Sequence, residues 1–430
     1  RVVIVRRTGN SSRRVGGGLV AAAVVMLSFS NDAPVSRRAH YCSGAAPRTW
    51  ATLGAMKTKA AVLRELGRPG PYSESRPLAI EEFDLAPPGP GEVLVRVRAA
   101  GLCHSDLSVI DGNRPRPLPM VLGHEMAGIV EEVGHGVTDL QRGDHVVASF
   151  VPSCGVCGPC LAGRPALCEP GLASNTAGTL LSGARRLCQH GEPVNHHLGV
   201  SGFAEWTTLS RRSLVRVDPT LPFAEAALFG CAVITGVGAV VNTAAMPKHS
   251  SLAVIGLGGV GLAALLAGRM LDASPIVAID LHEAKLAKAR ELGATHTFNA
   301  ADPDCVDRVR EVSGGGVAYA FEMAGSARAL ELAYRVTRRG GTTVSAGLPH
   351  PQQQVSLSHV SLVAEERTLK GSYLGSCVPE RDIPQYIEWY RAGRLPVDRL
   401  LSERIRLDDI NGAFDRLAAG ASIRQVIEIG

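Results

Sequence analysis

Aromatic residues are scarce in this chain of 430 residues, of which they make up only 4%. So few aromatic side chains leave little material for platforms on which nucleic-acid bases stack. The chain also lacks a large excess of one charge, because it has 45 basic and 40 acidic residues. With 45% hydrophobic and 20% charged residues, the composition is that of a globular protein and excludes a disordered chain or a collagen-like repeat. The length suggests about two or three domains.

The small positive charge is confined to residues 1–55, which hold eight arginines, no lysine and one acid, Asp32. This segment carries a net +7 and the remainder of the chain −2, so we expect no nucleic-acid partner. Its only apolar run, residues 19–27, is too short to cross a bilayer, and we expect no membrane partner. We predict a non-globular extension. An over-extended reading frame before Met56, a mitochondrial presequence and a secretory signal are the alternatives.

Two hydrophobic patterns divide the rest of the chain. Residues 57–64 and 92–99 alternate as half-buried strands do, with Pro-rich turns between them, which predicts a small β-rich domain.

Beyond residue 233, apolar strand-like runs alternate with Ala- and Leu-rich segments at 260–271, 283–292 and 326–338. That alternation is typical of βαβ units and a parallel sheet. Residues 376–430 look helical, with one strand-like segment.

A cluster of thiols follows the β-rich segment. Its members are Cys154, Cys157, Cys160 and Cys168. Thiolates two residues apart can bind one ion from a tight turn, and four soft ligands in a closed shell suit a structural, tetrahedral Zn²⁺. An Fe–S cluster is the competing interpretation because several ferredoxin spacings are similar, and disulfides are a third. A metal-binding cluster needs reduced cysteines, which argues against secretion.

A second constellation is spread widely along the sequence. Cys103, His124 and Cys231 each give a weak signal alone, since a lone Cys is usually a small buried hydrophobe. Together, two Cys and one His could form an open three-ligand zinc site, whose fourth position accepts water or substrate.

A glycine-rich motif lies between a strand-like run and a helical run. It reads Gly256-Leu257-Gly258-Gly259-Val260-Gly261. Gly256 allows the tight turn, Gly258 lets a pyrophosphate approach the backbone, and Gly261 lets the helix pack on the sheet. A glycine-rich turn of an ordinary βα unit is the alternative interpretation.

Asp280 ends the next strand-like run, nineteen residues after Gly261. A carboxylate at that place binds the ribose hydroxyls of a dinucleotide and repels a 2′-phosphate. The sequence therefore favours NAD over NADP.

The ordered motifs resemble those of zinc-dependent medium-chain alcohol dehydrogenases. They are GLCHSD at 101–106, GHEMAGIVEEVG at 123–134, the four-cysteine lobe, GCAVITGVGAV at 230–240 and GLGGVG at 256–261. The resemblance runs from Met56 to Gly430 and implies an α/β fold in three parts. These are a GroES-like β-rich catalytic domain with the structural zinc lobe (56–232), a doubly wound Rossmann dinucleotide-binding domain (233–375), and a C-terminal return to the catalytic domain (376–430).

The resemblance also implies roles for single residues. Cys103, His124 and Cys231 are the expected catalytic zinc ligands, Glu125 the neighbouring acid, Asp106 the carboxylate that orients the ligand His, Ser105 the acceptor of the alcohol proton, and Phe150 a wall of the substrate pocket. Some family members continue the proton relay with a His three residues beyond the relay hydroxyl, but this chain has Ser108 there.

The expected cofactors are NAD and two Zn²⁺ ions per chain. The implied contacts of NAD are His104, Thr235, Gly256, Gly258, Gly259, Val260, Gly261, Asp280, Lys285 and Arg424. Among them, Lys285 is expected at the ribose, Thr235 at the nicotinamide, and His104 and Arg424 at the pyrophosphate.

The implied activity is reversible hydride transfer between a primary or secondary alcohol and NAD, with zinc as the Lewis acid. The interval between Cys168 and Cys231 is long and includes residues 195–199. In this feature the chain resembles the animal, plant and glutathione-dependent branch of the family. Its members are often dimers, so we expect a homodimer, with a tetramer as the alternative. The expected location is the cytoplasm, or the mitochondrion if residues 1–55 are a presequence.

The substrate is the least determined property. Glutathione-adduct enzymes carry an Arg four positions after the last lobe cysteine, and this chain has Leu172 there. That favours a medium-sized, aromatic alcohol or aldehyde over S-(hydroxymethyl)glutathione, which stays the first alternative. A zinc-free quinone reductase relative is opposed by the complete ligand set, and a catalytically silent cofactor-binding protein is the alternative outside enzymes.

Overall fold

The computed structural model of the chain describes residues 55–430. The predicted N-terminal extension, apart from Ala55, lies outside the described residues.

The first half of this region is rich in strands. They are β1 (Met56–Leu63), β2 (Leu78–Leu85), β3 (Glu92–Gly101), β4 (Met120–Val121), β5 (Glu125–Val133), β6 (His145–Ala148), β7 (Leu187–Gln189), β8 (Glu192–His196), β9 (Trp206–Ser210) and β10 (Leu214–Val217). A closed barrel has the order β1-β2-β7-β8-β4. A second sheet begins β10-β6-β5-β3, and β9 also pairs with β3. The two strands expected from alternation are thus present as β1 and β3.

Short helices connect these strands. They are α1 (Tyr72–Ser75), α2 (His104–Ile110), α3 (Gly158–Leu161) and α4 (Glu169–Ala177), with single helical turns at Pro165–Leu167, His197–Gly199 and Arg211–Ser213. Helix α2 begins directly after Cys103, and α3 begins within the four-cysteine lobe. Cys103 and part of the four-cysteine lobe therefore lie at helix starts, where the chain turns.

A continuous helical stretch, α5 (Phe223–Thr243), joins the two halves of the chain. It is long and apolar enough to cross a membrane by length and composition, yet nearly all of it is buried inside the protein. Gly236 lets α5 approach the next helix closely, because a Cβ at Gly236 would lie 2.2 Å from the carbonyl oxygen of Val260. Helix α5 is a core helix that brings Cys231 towards the glycine-rich loop.

The second half contains a six-stranded parallel sheet with helices between its strands. The elements are β11 (Leu252–Ile255), α6 (Gly259–Met270), β12 (Ile276–Asp280), α7 (Glu283–Leu292), β13 (His296–Asn299), α8 (Cys305–Val312), β14 (Val317–Glu322), α9 (Ala327–Val336), β15 (Thr337–Ser345), α10 (His359–Ala364) and β16 (Thr368–Gly371). The strand order is β13-β12-β11-β14-β15-β16. Strands β12 and β13 lie on one side of β11, and β14 to β16 lie on the other, so the topological switch point of the sheet is between β11 and β14. Ligands of such sheets bind at that switch point, outside the carboxyl ends of the strands.

The chain then returns to the first sheet. The last elements are a turn at Leu374–Ser376, α11 (Pro379–Arg391), a turn at Val397–Leu400, β17 (Glu403–Ile405), a turn at Leu407–Asp409, α12 (Ile410–Ala418) and β18 (Gln425–Glu428). Strand β18 pairs antiparallel with β3 and parallel with β17. The prediction of one strand after residue 376 was wrong, because β17 has only three residues and shows no alternation that could reveal it.

The predicted α/β class is confirmed: a β-rich part and a parallel βαβ sheet with a switch point are both present. The helices expected at 260–271, 283–292 and 326–338 correspond to α6, α7 and α9 within one or two residues at each end. The residue boundaries of the three predicted domains stay predictions.

Candidate active site

Three distant segments bring the predicted catalytic ligands together. Cys103 precedes α2, His124 immediately precedes β5, and Cys231 lies within α5. Ligand atoms of these three residues and of Glu125 all lie within 4.8 Å of one another. The two cysteines are 6% exposed and His124 is 1% exposed. The structure thus forms a buried site from residues that single motifs left unconnected.

The donor set fits a metal ion. The Nε2 atom of His124 is buried without a hydrogen-bond partner among the described residues, although a buried polar atom normally has one. The neighbouring Cys231 thiol and the charge of Arg424 hold the pKa of the Cys103 thiol below its ordinary value, against the opposing effect of burial. An unpartnered imidazole nitrogen and two thiols, one of them acidified, are the ligands that Zn²⁺ takes in open sites.

The carboxylate of Asp106 contacts the second ring nitrogen of His124 and fixes the orientation of the ring. Its Oδ1 atom lies 3.1 Å from Nδ1 of His124 and accepts the backbone N–H of Gly123 at 3.1 Å. The remaining oxygen accepts the N–H of Cys103 at 3.3 Å. A carboxylate bonded to the far nitrogen of a ligand His fixes the ring orientation, so the predicted role of Asp106 agrees with its contacts.

His197 is a residue that the sequence reasoning missed. Its Nδ1 atom lies 3.0 Å from Oδ1 of Asp106, and its ring packs edge-on against His124 with centroids 5.5 Å apart. Burial lowers the pKa of His197, against the opposing effect of the Asp106 carboxylate. The sequence held a signal, because His197 belongs to the segment 195–199 that marked the long form of the family.

Glu125 and Arg424 form a buried ion pair beside the ligands. Nη1 of Arg424 donates to Oε1 of Glu125 at 2.9 Å and to the carbonyl of Leu102 at 2.8 Å. Burial raises the pKa of Glu125 to about 8, against the opposing charge of Arg424. The Nε atom of Arg424 is buried and unpartnered among the described residues. It points at the first turn of α6, since a Cβ on Gly259 would lie 1.9 Å from it.

One cavity of about 690 Å³ connects this site with the switch point of the parallel sheet. Its lining includes the predicted residues Cys103, His104, Ser105, Phe150, Cys231, Thr235, Gly256, Gly258, Gly259, Val260, Asp280, Lys285 and Arg424. Ser108 lines it too, and its hydroxyl donates to the carbonyl of His104 at 2.8 Å. Of the predicted cofactor contacts, only Gly261 is absent from this lining, consistent with its expected packing role.

The cavity fits a dinucleotide at three separate points. Gly258 precedes α6, whose first N–H groups provide the dipole that favours a pyrophosphate. Oδ2 of Asp280 accepts the N–H of Leu257 at 2.7 Å, so its carboxylate is held at the end of β12. The hydroxyl of Thr235 is buried without a hydrogen-bond partner among the described residues. Unpartnered donors at Thr235 and Arg424 are what a bound cofactor would satisfy.

Substitution by alanine is expected to have different effects at Gly258 and at Gly261. A Cβ on Gly261 would lie 1.8 Å from the carbonyl oxygen of Gly256, whereas a Cβ on Gly258 would meet nothing within 4 Å. We expect Gly261→Ala to lower the melting temperature. Gly258→Ala should leave it unchanged but raise the KM for the dinucleotide about tenfold or more, because the methyl group occupies space needed by the pyrophosphate. Thermal melts and cofactor titrations measure both; an unchanged KM in Gly258→Ala would contradict the assignment.

The four-cysteine lobe is compact. The sulfur atoms of Cys154, Cys157, Cys160 and Cys168 all lie within 4.8 Å of one another, and those of Cys157 and Cys168 are 3.9 Å apart. Ligands about 2.3 Å from one tetrahedral ion are separated by about 3.8 Å. The backbone N–H groups of Cys154 and Gly171 donate to the sulfur of Cys168 at 3.2 and 3.4 Å. The geometry fits one tetrahedral ion, and the four cysteines are free thiols.

Aromatic rings line the cavity next to the ligands. Phe150 lies edge-on to His124, with centroids 5.6 Å apart, and edge-on to Tyr373, with centroids 5.9 Å apart. Tyr373 was not predicted. It precedes a turn, Leu374–Ser376, whose three residues all have positive φ angles. Thr243 anchors that turn, since its hydroxyl lies 2.7 Å from that of Ser372 and 2.8 Å from that of Ser376.

Glu322 is a further residue without a sequence signal. It is 1% exposed at the end of β14 and accepts the N–H groups of Ala324 and Gly325 at 2.8 and 2.5 Å and the hydroxyl of Ser345 at 2.6 Å. These contacts fix two loops that line the cavity next to Gly256. An acid at the end of a strand is too common a pattern to have predicted this.

Comparison with known families gives two matches. The model of the alcohol dehydrogenase GroES-like domain matches residues 89–219, and that of the zinc-binding dehydrogenase domain matches residues 259–392. Together they cover the β-rich part from β3 onwards and the parallel sheet except β11.

Individual proteins are also similar over nearly their whole length. An S-(hydroxymethyl)glutathione dehydrogenase of Synechocystis is 38% identical over 376 residues, which are 86% of this chain and 100% of that protein. The crystal structure of benzyl alcohol dehydrogenase from Acinetobacter calcoaceticus is 34% identical, with a TM-score of 0.81, over 87% of this chain and 100% of that one. An alcohol dehydrogenase zinc-binding domain protein from Burkholderia ambifaria is 36% identical, with a TM-score of 0.82 and the same coverage.

Proposed function

The chain belongs to the zinc-dependent medium-chain alcohol dehydrogenases, and on that premise we propose that it transfers a hydride between an aromatic primary or secondary alcohol and NAD. One observation carries the proposal. A single cavity has Cys103 and Cys231 at one end and the glycine loop with Asp280 at the other. A metal-polarised alcohol and a nicotinamide ring bound there would lie side by side.

Each residue of the catalytic site has a distinct proposed role. Cys103, His124 and Cys231 would hold the catalytic Zn²⁺, which supplies Lewis-acid chemistry that lowers the pKa of an alcohol and polarises a carbonyl. Ser105 lines the cavity beside Cys103 and accepts the alcohol proton. Asp106, itself held by backbone N–H groups, keeps the ring of His124 in place. Glu125 and Arg424 balance charge beside the thiols.

NAD rather than NADP is favoured by Asp280. Its carboxylate is 8% exposed, lines the cavity and has lone pairs left beyond its two backbone contacts. A 2′-phosphate would meet a fixed negative charge there. Lys285 lines the same part of the cavity and suits a ribose hydroxyl.

A second Zn²⁺ per chain is supported by the four-cysteine lobe. Sulfur separations near those of a tetrahedral ion favour one metal ion over an Fe–S cluster, whose sulfur ligands lie farther apart. A closed shell of four thiolates leaves no open position, so the role is structural.

The ring pair of Phe150 and Tyr373 supports an aromatic substrate, because offset and edge-on contacts stabilise an aryl ring packed against them. The similar benzyl alcohol dehydrogenase is consistent with this. S-(hydroxymethyl)glutathione is the second candidate, since the Synechocystis relative is named for it. Leu172, at the position of the expected Arg, is 63% exposed on α4 and does not line the cavity.

A homodimer is the proposed assembly. Strand β16 is an edge strand with four exposed residues, and α10 beside it exposes Val360 and Val363. An exposed edge with apolar neighbours favours pairing with a second copy.

The cytoplasm remains the proposed location, with the mitochondrion as the alternative.

A substrate and metal panel tests the proposal. We expect oxidation of benzyl alcohol with NAD at least about tenfold faster in kcat/KM than with NADP, and two zinc ions per chain by metal analysis. Formaldehyde oxidised only when glutathione is present would establish the second candidate. One zinc ion per chain without turnover of any alcohol would identify a silent cofactor-binding protein.

A further inference from the structure

Two arginines lie in a proline-bracketed loop at the catalytic end of the cavity. The loop reads Arg114-Pro115-Arg116-Pro117. Arg114 lines the cavity together with Ser108 and Tyr373. Because proline fixes its own φ angle and restricts the backbone of the residue before it, the backbone of both arginines has little conformational freedom. Neither arginine has a role in zinc or cofactor binding.

These two cations lack a carboxylate partner. Among residues 55–430, the guanidinium of Arg114 has no hydrogen bond or ion pair. The contact of Arg116 is a backbone carbonyl, that of Asn175, at 3.5 Å. Burial lowers the pKa of Arg116, and the positive charge of Arg114 lowers it further. Arg114, at the cavity wall without a carboxylate partner, can bind an anion.

The acids of the cavity lie elsewhere. Those in its lining are Asp280, Asp302 and Glu331, all on elements of the parallel sheet. Within the described residues, no carboxylate lines the catalytic end around Phe150 and Tyr373. The residues proposed to bind the pyrophosphate of the cofactor belong to other segments of the chain. The arginine loop is therefore available to bind the substrate.

An apolar wall separates the arginines from the zinc ligands. The rings of His124, Phe150 and Tyr373 follow one another with centroid distances of 5.6 and 5.9 Å. Arg114 and Tyr373 line the same cavity. Burial raises the pKa of Tyr373, and the charges of Arg114 and Arg116 oppose that rise. From the ligands outwards, the cavity offers a metal site, an aromatic wall and then positive charge.

We infer that Arg114 recognises a carboxylate of the substrate, so that the preferred substrates are alcohols and aldehydes that carry a carboxylate beyond an apolar spacer. This inference rests on the proposed function. Arg116, held against α4, adds to the positive potential. An aryl carboxylate and a glutathione adduct share this chemistry, and the experiment separates them.

The test compares two alcohols of nearly equal size with NAD, 4-(hydroxymethyl)benzoate and neutral 4-isopropylbenzyl alcohol. We expect the wild-type kcat/KM to favour the carboxylate at least about tenfold, and Arg114→Gln to reduce this ratio about 10- to 100-fold, as for loss of a charged hydrogen bond. Arg114→Lys should give an intermediate ratio. Higher ionic strength should lower the wild-type ratio, because salt screens partly exposed charges.

Arg142→Gln is the matched control, because the side chain of Arg142 is 76% exposed, pairs with Glu131 of β5 and does not line the cavity; its ratio should equal that of the wild type. S-(hydroxymethyl)glutathione is assayed in parallel, and the larger kcat/KM identifies the source of the carboxylate. Equal wild-type rates for both benzylic alcohols, or an unchanged ratio in Arg114→Gln, would overturn the inference. If no alcohol is oxidised at all, the proposed function fails instead.

Discussion

Cys231→Ala is expected to lower kcat/KM for alcohol oxidation about a thousandfold or more, while NADH still binds. The catalytic ion supplies several kcal/mol of charge stabilisation, and each factor of ten corresponds to about 1.4 kcal/mol. With one of three ligands removed, the remaining Cys103 and His124 hold the ion much more weakly.

The fold should survive this substitution. Cys231 is 6% exposed within α5, and alanine is the strongest helix former. The dinucleotide end of the cavity is built from other elements and does not depend on Cys231. Loss of activity would therefore report on the metal site and not on unfolding.

Metal analysis, circular dichroism and NADH fluorescence check the result together. Zinc content should fall from two ions to one per chain, with an unchanged helix signal. Cys188→Ala is the matched control, because Cys188 is a buried cysteine of β7 that does not line the cavity. Full activity in Cys231→Ala with one zinc ion per chain would refute the assignment.

The second large effect is expected for Asp280→Ser. We predict that kcat/KM for NAD falls about 100-fold, whereas kcat/KM for NADP rises, so that the preference reverses. The carboxylate binds ribose hydroxyls and repels a 2′-phosphate. Removing it takes away both a charged hydrogen-bond acceptor and a repulsive charge.

A structural effect contributes to the loss with NAD and can be separated. Asp280 also accepts the backbone N–H groups of Leu257 and His282 at 2.7 and 3.0 Å. A disturbed loop would weaken both cofactors, but only the loss of repulsion improves NADP. Asp302→Asn is the control, since Asp302 is another acid of the same lining. If both cofactors weaken equally in Asp280→Ser, the carboxylate does not select between them.

Local sequence patterns predicted most of the site because the relevant chemistry is local. Four cysteines within fifteen residues, a glycine motif between a strand and a helix, and an acid at the end of the next strand each indicate a class of ligand by their spacing, although alternatives stayed open for the cysteines and the glycine motif. Cys103, His124 and Cys231 are far apart in sequence, and the family resemblance rather than any spacing connected them.

The sequence by itself determined the chemical groups available to this protein: two sets of candidate metal ligands, a glycine-rich loop between a strand and a helix, and a carboxylate at the end of the next strand. Only the tertiary structure decided which other residues meet them. His197 reaches Asp106 and Tyr373 faces Phe150, while Arg114 lines the cavity without a partner. Their side chains meet the site through sheet pairing and helix packing between distant segments, and such contacts leave no periodic or spaced signal in one sequence.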